Sequence, residues 1–334
     1  MRSISQPLIS IIVPIFNTDR FLDKCLSSIA KQSLNNIEVL CIDDGSTDGS
    51  PSIVDAFASA DPRIAAIHKP NEGYGKGINT GLDNAKGKYI GIVESDDYVD
   101  PSMFEKLFSA AQRHKFPDIV KCAYWRVLNA ETRGERLLPA YYLHHVDHVD
   151  VPFTLNEDAE FLFHHPSIWT AIYKKSFLEK NRIKMKEVPG AGWVDNPFLI
   201  ETLAQAESIV YIDEPLYFYR EMNEGSSSRV KDPSIIYDRW FDMDALIKKL
   251  GITSPRIMEG HYNRGCSYIK MLDEEFGVDS PTIEKNIQEM IHRMDYPAIV
   301  SSRKILREYK KALRKHIPIT QRIGYRFGSK RKNR

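Results

Sequence analysis

The chain has 334 residues and a net charge of +1, with 42% of its residues hydrophobic and 27% charged. This composition excludes a disordered or fibrous chain and supplies enough apolar residues for two hydrophobic cores. No apolar run approaches the length of a membrane span, and the four cysteines form no Cys-x-x-Cys pair. The sequence therefore predicts a cytoplasmic protein without a membrane span, a disulfide framework or a zinc site.

Short apolar strands alternate with amphipathic helices in the first third of the chain. The β-branched run 8–13 ends at Pro14 and predicts a strand buried on both faces, and further strands are predicted at 37–42, 64–67 and 89–93. A helix with one apolar face is predicted in each intervening segment. Because βαβ connections are right-handed, this alternation predicts a doubly wound, mostly parallel sheet flanked by helices.

Acidic turns follow two of these strands. Glu94, Asp96 and Asp97 come directly after the fourth strand, and Asp43 and Asp44 follow the second. Because the carboxyl ends of parallel strands lie at the same edge of a sheet, these side chains are expected close together. Carboxylate oxygens bind hard divalent cations, so the sequence predicts a cation site at this edge. A polar turn that joins a strand to a helix is the alternative interpretation.

The pattern is less regular beyond the fourth strand. Strands are predicted at 118–122 and 168–173, and the glycine loop 189–193 precedes Asp195 at the start of an apolar helix. The turn-rich segment 126–156 has histidines interleaved with acids, which fits either a metal site or a solvated loop. The loop is favoured because no second ligand pair lies at a characteristic spacing. The side chains concerned are His144, His145, Asp147, His148 and Asp150.

The C-terminal part of the chain is predicted to be helical and to end in a basic segment. A strand at 209–212 and an extended segment at 216–220 precede helices from residue 233 onward. Residues 303–334 contain thirteen Lys or Arg and one acid, a local charge of +12, which leaves −11 on the rest of the chain. This basic amphipathic segment fits the anionic inner face of a membrane, an acidic surface of its own chain, or a second subunit. Nucleic-acid binding is not expected, because no recognised module accompanies the basic residues.

Four motifs occur in an order and at spacings that resemble family 2 glycosyltransferases of the GT-A fold. The motifs are Ser10–Asn17, Ile42–Asp48, Asn71–Gly81 and Glu94–Asp97. The resemblance is strong over residues 8–110 and looser over 165–220. It implies an α/β fold with a Rossmann-like, mostly parallel twisted sheet flanked by helices, and a mainly helical C-terminal extension.

The resemblance also implies a domain organisation. A glycosyltransferase domain is expected at 1–225, with a donor half at 1–110 and an acceptor half at 111–225. A helical region at 226–302 and a basic tail at 303–334 would follow. The implied ligands are a nucleotide-sugar donor and a carbohydrate-bearing acceptor, whether a free glycan, a lipid-linked glycan or a glycosylated protein.

Donor-binding residues follow from the same resemblance, with a UDP-hexose as the commonest donor. Asp44 would accept a hydrogen bond from the uracil imide, and the exit of the first strand would contact the base; the alternative for Asp44 is an Asx turn that closes Gly45–Ser46. Arg220 with Ser226–Ser228 resembles the mobile segment that folds over the diphosphate. The implied donor-binding residues are Pro14, Ile15, Phe16, Asp43, Asp44, Asn71, Lys76, Asp97 and Arg220.

The resemblance assigns a divalent cation to the acidic turn. Asp96 would be the principal ligand of Mn²⁺ or Mg²⁺, with Glu94 as a second carboxylate at the metal. The chain departs from the commonest family pattern at Glu94, where an aspartate is usual, and at Ile78, where many relatives have arginine. Lys76 is expected to supply the missing positive charge to the donor phosphates, and a solvated lysine is the alternative.

The resemblance implies that three further residues act on the acceptor. Asp195 resembles the family's catalytic base, which deprotonates the acceptor hydroxyl so that a direct displacement inverts the anomeric carbon. Val194 replaces the acid that usually precedes this base, and a helix N-cap is the alternative role of Asp195. Trp169 and Trp193 are expected to flank the acceptor sugar, with a place in the hydrophobic core as the alternative.

These observations favour a metal-dependent, inverting glycosyltransferase. The departures at Glu94, Ile78 and Val194 leave a second interpretation open, a catalytically silent nucleotide-sugar-binding or scaffold subunit of a glycosylation complex. A nucleotidyltransferase is disfavoured, because no glycine-rich phosphate loop follows the first strand directly.

Overall fold

The computed structural model describes residues 6–221, 230–277 and 280–318. The chain divides into two compact units, the first from Met1–Asp158 with Pro166–Ser228 and the second from Ala159–His165 with Arg229–Arg334. The predicted loop Ser226–Ser228 and the predicted tail beyond residue 318 lie outside the described residues. The short segment at 159–165 is the main difference from the expected domain boundaries.

A ten-stranded sheet forms the centre of the first unit. Its strands are β1 Ile9–Ile15, β2 Ile37–Asp43, β3 Ile64–His68, β4 Tyr89–Ile92, β5 Tyr98–Val99, β6 Ile119–Leu128, β7 Arg136–Pro139, β8 Pro152–Phe153, β9 Ala171–Lys174 and β10 Ile209–Arg220. Their order is β3-β2-β1-β4-β9-β6-β10-β5, with β7 paired to β6 and β8 paired to β10. Strands β3, β2, β1 and β4 are parallel, as predicted, and β6 is parallel to β10.

Helices cover both faces of this sheet. They are α1 Asp19–Ala30, α2 Ser50–Ala60, α3 Tyr74–Asn84, α4 Met103–Arg113, α5 Lys175–Asn181 and α6 Asp195–Gln205. Central strand β1 is buried along its whole length, because neighbouring strands and helices enclose it on every side. Helix α1 buries Leu22, Cys25, Leu26 and Ile29, the apolar face that the sequence pattern predicts.

The strands of the second half differ from prediction in three places. The predicted strand at 168–173 begins with a 3-10 turn at Ile168–Thr170, and only then does β9 start, antiparallel to both β4 and β6. The two predicted segments at 209–212 and 216–220 form the single strand β10, whose pairing with β6 shifts register around Pro215. Proline cannot donate to the ladder, so the strand bends there without ending. Part of the predicted loop 126–156 is ordered as the β6–β7 hairpin.

Histidines of this loop segment bind different acids. His144 Nδ1 lies 2.5 Å from Asp213 Oδ2, whereas His148 Nδ1 lies 3.7 Å from Asp158 Oδ2. Each pair ties the loop to a different part of the first unit. Among the residues that the structure describes, no three His, Cys, Asp or Glu side chains are arranged to hold a metal ion.

The second unit is helical. Its helices are α7 Ser234–Lys249, α8 Pro255–Met271, α9 Pro281–Arg293, α10 Tyr296–Ser301 and α11 Arg307–Lys315. Trp240 and His261 stack at the centre, with ring centroids 4.6 Å apart. Residues 159–165 belong to this unit because Leu162 is buried against Gly260 of α8, where a Cβ would lie 2.6 Å from that of Leu162.

Helix α11, the start of the basic segment, packs against α8 within the second unit. Leu313 and Ile317 are 1% and 2% exposed. The His316 ring nitrogens lie 2.8 Å from oxygens of Asp273 and Glu284. The apolar side of this basic helix is therefore used inside the second unit. In the described part of the chain, no helix is long and apolar enough to cross a membrane.

Candidate active site

The carboxyl ends of β1, β2 and β4 meet at one edge of the sheet. Asp44 N donates to the carbonyl oxygen of Ile15 at 2.9 Å, which joins the exits of β1 and β2. Pro14 and Ile15 are buried, whereas the neighbouring Phe16 ring is 50% exposed. Of the three residues expected to contact the nucleotide base, Phe16 is therefore the one whose side chain faces solvent.

Asp43 closes the turn that follows β2. Its Oδ1 accepts from the backbone N–H of Ser46 at 3.0 Å, and its Oδ2 lies 2.7 Å from His68 Nδ1. The hydrogen bond with Asp43 raises the pKa of His68. The turn-closing role considered for Asp44 thus belongs to Asp43, which is only 3% exposed.

Asp44 anchors the glycine-rich segment that precedes α3. Its Oδ1 accepts from Lys69 Nζ at 2.5 Å and from Glu72 N at 3.0 Å, and its Oδ2 accepts from Gly73 N at 2.8 Å. Although burial alone would lower the pKa of Lys69, its hydrogen bonds to Asp44 and Glu72 raise it. Both carboxylate oxygens of Asp44 are engaged inside the protein, so any contact with the base would be additional to this structural role.

Glycines in this segment allow α3 to lie directly on the chain that leads to Asp195. A Cβ on Gly75 would lie 2.1 Å from the carbonyl oxygen of Lys186, and one on Gly73 would lie 2.4 Å from that of Val188. The Asn79 side chain binds the backbone of Met185 twice, at 2.9 Å each. These contacts fix the approach to the predicted base.

Lys76, which is expected to supply a positive charge to the donor phosphates, is paired with an acid of its own chain in the structure. Lys76 Nζ lies 3.3 Å from Glu187 Oε2, so this lysine has an acidic partner on the neighbouring segment. Ile78 is completely buried and belongs to the hydrophobic core. Asn71 is exposed next to Gly45, where a Cβ would lie 2.8 Å from Asn71 N.

Asp97 supports the acidic turn from below. Its side chain has no exposed surface, and its Oδ1 accepts from Arg220 N at 2.7 Å while its Oδ2 accepts from Tyr217 OH at 2.9 Å. Burial and the charge of Asp96 raise the pKa of Asp97. In this conformation Asp97 ties the end of β10 to the turn, and its expected role at the donor stays a prediction.

Arg220 is also part of this support. It is 1% exposed, and its guanidinium donates to the carbonyl oxygen of Asp96 and lies 3.1 Å from Glu131 Oε1. The same group lies over the rings of Phe21 and Tyr98, at 5.0 and 5.1 Å from their centroids. Because β10 continues to residue 220, strand geometry holds Arg220 in the interior here, and its expected contact with the diphosphate of a bound donor stays a prediction.

The carboxylate of Glu94 interacts electrostatically with those of Asp96 and Asp195 near the acidic turn. Glu94 Oε1 accepts from Tyr74 OH at 2.6 Å. Burial raises the pKa of Glu94 to about 8; the Tyr74 hydrogen bond opposes this rise, and the charges of Asp96 and Asp195 add to it. Asp96 and Asp195 are both partly exposed. Carboxylate oxygens are the donors that hard divalent cations prefer, although these three described side chains are not arranged as a formed metal site in this conformation.

Asp195 is the first residue of α6 and follows Trp193, which has a positive φ of 52°. Val194 precedes the helix, and Asp195 Oδ1 accepts from Asn196 Nδ2 at 3.1 Å. Asp195 interacts electrostatically with Glu94, and the partly exposed Trp193 lies two residues before it.

Trp169 belongs to an aromatic core. It is 4% exposed, and its ring stacks on Tyr217 at 4.1 Å and on Tyr219 at 5.2 Å. No ring face is left open to an acceptor sugar, so the core alternative holds for Trp169. This cluster positions Tyr217, whose hydroxyl also accepts from Glu94 N at 3.1 Å.

Several residues at this edge were missed by the sequence analysis. Lys69 and Tyr74 bind Asp44 and Glu94, and Tyr217 binds Asp97. The alternation Tyr217-Phe218-Tyr219 on a strand was an available signal, since it places two tyrosines on one face. The partners of Lys69 and Tyr74 depend on tertiary contacts alone.

Comparison with known proteins identifies the family of this chain. The sequence profile of Glycosyl transferase family 2 matches residues 10–182, just over half of the chain. The chain is 34% identical over 222 residues to the uncharacterized glycosyltransferase EpsJ of Bacillus subtilis (strain 168), covering 64% of this chain and 61% of that relative. It is 32% identical over 225 residues to glycosyltransferase GlyA of Streptococcus pneumoniae, covering 66% of this chain and 32% of that relative. The match thus spans less than two thirds of either relative's length.

Solved structures share the fold. The chain resembles S. aureus TarS 1–349 in complex with UDP-GlcNAc with a TM-score of 0.73 at 20% identity, covering 92% of this chain and 90% of that chain. This likeness confirms the predicted GT-A fold. With the profile match over more than half of its length, the chain belongs to glycosyl transferase family 2.

Proposed function

We propose that this protein is a metal-dependent, inverting glycosyltransferase that moves a sugar from a nucleotide-sugar to a hydroxyl of a carbohydrate-bearing acceptor. The observation that supports this most directly is the cluster of Glu94, Asp96 and Asp195 at the carboxyl edge of the sheet, with the pKa of Glu94 raised to about 8 by burial and by its two neighbours. Such a cluster pairs a cation site with a candidate base.

A UDP-hexose is the proposed donor. TarS, which shares the fold, has been solved with UDP-GlcNAc and with UDP. At the corresponding sheet edge of this chain, the exposed Phe16 ring offers an aromatic face for a base. Asp44 would act chiefly by holding the glycine-rich segment in place beside that face.

Asp96 and Glu94 are the residues that would hold Mn²⁺ or Mg²⁺. A cation there would compensate the charge of the leaving diphosphate. A mannosyltransferase of Pyrobaculum calidifontis, PcManGT, has been solved with GDP-Man and Mn²⁺ and resembles this chain with a TM-score of 0.50 at 15% identity. Tyr74 would orient the Glu94 carboxylate through their hydrogen bond.

Asp195 would accept the proton of the acceptor hydroxyl. It is the first residue of α6, and the contacts between α3 and residues 185–188 fix the segment that delivers it. A base on the acceptor side and a departing diphosphate on the other side give a direct displacement, so the anomeric centre would invert.

Release of UDP from UDP-sugars tests this proposal. The purified protein with Mn²⁺ should release UDP and should be inactive in EDTA, and Asp96→Ala should reduce release by at least about a hundredfold because the cation site is lost. Thermal shift with UDP-GlcNAc and Mn²⁺ provides a binding readout that does not require turnover. Donor binding without any release or transfer in the wild type would favour a silent binding subunit instead.

A further inference from the structure

Tyr141 is the most exposed large aromatic side chain among the described residues of the first unit. Its exposed fraction is 61%, against 50% for Phe16 and at most 46% for the other exposed large apolar residues there. A single exposed ring is common on protein surfaces, so its significance depends on how the neighbouring side chains hold it.

An ion pair lies behind the Tyr141 ring. The Arg126 guanidinium lies 4.3 Å from the ring centroid, which holds the ring by a cation–π contact. Arg126 in turn binds Glu221 through two hydrogen bonds, Nε to Oε2 at 2.7 Å and Nη2 to Oε1 at 2.9 Å. This paired geometry is rigid, so the exposed face of Tyr141 is presented in a fixed orientation.

The same face of the sheet connects Tyr141 to the acidic turn. Arg126 of β6 is paired in register with Tyr219 of β10, and paired residues of neighbouring strands point to the same face. Tyr219 stacks on Trp169 at 5.2 Å. The next residue of β10, Arg220, donates to the carbonyl oxygen of Asp96, so this end of the strand lies against the acidic turn. Tyr219 and Arg126 are thus register neighbours beside the turn, and Arg126 contacts the exposed ring of Tyr141.

We propose that Tyr141, held by Arg126 and Glu221, is a carbohydrate-binding subsite for the acceptor, at least one sugar away from the residue that receives the new bond. The inference rests on the proposed function, because only a transferase would need an extended acceptor at this place. A flat ring of this kind packs against the apolar C–H face of a pyranose, and the Arg126 guanidinium holds the ring from its other face.

Methyl glycosides of mono- and disaccharides that share a terminal sugar test the subsite with UDP-GlcNAc as donor. In the wild type, kcat/KM for the preferred disaccharide should exceed that of the matching monosaccharide by about tenfold. Tyr141→Ala should remove this advantage and leave the monosaccharide kcat/KM and the donor KM unchanged. Tyr141→Phe keeps the ring face and should keep the advantage.

Leu137→Ala is the matched control. Leu137 lies on the adjacent strand β7 and is 45% exposed, but it pairs with Val127 and so points to the opposite face from Arg126. The subsite is overturned if Tyr141→Ala retains the disaccharide advantage, if Leu137→Ala loses it equally, or if the wild type shows no such advantage. A wild type that transfers to neither class of acceptor and releases no UDP overturns the proposed function, and the subsite with it.

Discussion

Lys121 places an ionisable amine inside the sheet of the first unit. It is 1% exposed on β6, and its Nζ donates to the carbonyl oxygen of Ser167 and to the hydroxyl of Thr170, both at 2.6 Å. Burial lowers the pKa of Lys121 from 10.5 to about 7. Because the unfolded chain binds this proton more tightly, the contribution of Lys121 to stability is complete above the unfolded pKa and is lost as the pH falls toward 7.

We expect Lys121→Met to remove this pH dependence. The melting temperature of the wild type should rise relative to that of the variant between about pH 7 and about pH 10. In this range only the unfolded state holds the Lys121 proton, and rising pH removes the stabilisation that this proton gives to the unfolded state. Differential scanning fluorimetry across this range measures the difference. Lys180→Met is the control, since that side chain is 70% exposed. A constant difference between wild type and Lys121→Met at every pH would contradict the assigned shift.

The sequence indicates which acidic residues lie near the acidic turn, but it does not indicate the hydrogen-bond partners of each one. Glu94 interacts electrostatically with both Asp96 and Asp195, although Asp195 lies about a hundred residues later in the chain. The internal partners of Asp44 and Asp97 could not be read, since Lys69 and Tyr217 reach them only through tertiary packing.

At the scale of elements, α3 depends on glycines for its closeness to the chain that precedes Asp195. Gly75→Ala would place a Cβ 2.1 Å from the carbonyl oxygen of Lys186, a backbone atom that cannot move alone. We expect this variant to lose about 1–3 kcal/mol of unfolding free energy and to reduce transfer by displacing the segment before Asp195. Urea denaturation and UDP release measure the two effects.

Gly77→Ala is the matched control on the same helix. Its Cβ would meet nothing nearer than Ile42 Cγ2 at 3.9 Å, an ordinary contact. Alanine is the better helix former, so this variant should be neutral or more stable by up to about 1 kcal/mol. Equal losses in both variants would contradict a specific steric clash with Lys186, because the alanine at 77 meets no close neighbour.

Strands and helices could be predicted where the apolar residues follow a single pattern, either a continuous apolar run or one helical face. Strands β1 and β2 are apolar runs that fill the centre of the sheet, and α1 and α4 have single apolar faces. The antiparallel direction of β9 was not predictable, because a short buried strand has the same pattern in either direction. Neither was the continuity of β10 through Pro215, since proline usually ends such a run.

At the scale of the whole molecule, charge separates the basic C-terminal segment from the rest of the chain. Because Leu313 and Ile317 are buried in the second unit, the residues that α11 exposes include Arg307 and Lys311. We propose that this segment contacts an anionic membrane surface by electrostatics, without inserting its apolar side. Assembly with a second subunit through the same charges is the other outcome of the test.

Sedimentation with phosphatidylglycerol vesicles distinguishes these outcomes. The wild type should bind at low salt and be released at high salt, and Arg307→Glu with Lys311→Glu should weaken binding by about tenfold or more. Lys249→Glu with Lys285→Glu makes the same change in net charge on other exposed positions of the second unit. Binding that resists high salt, or that both double variants weaken equally, would contradict a specific electrostatic contact.

Asp195 is proposed to remove the acceptor proton at a donor site built around Asp96. Asp195→Asn keeps the size and the helix position of the side chain but cannot accept a proton. The variant should bind UDP and Mn²⁺ with the same Kd as the wild type, measured by calorimetry, and should lose transfer by about 10² to 10⁴. Retention of most of the wild-type transfer rate by Asp195→Asn would contradict the account.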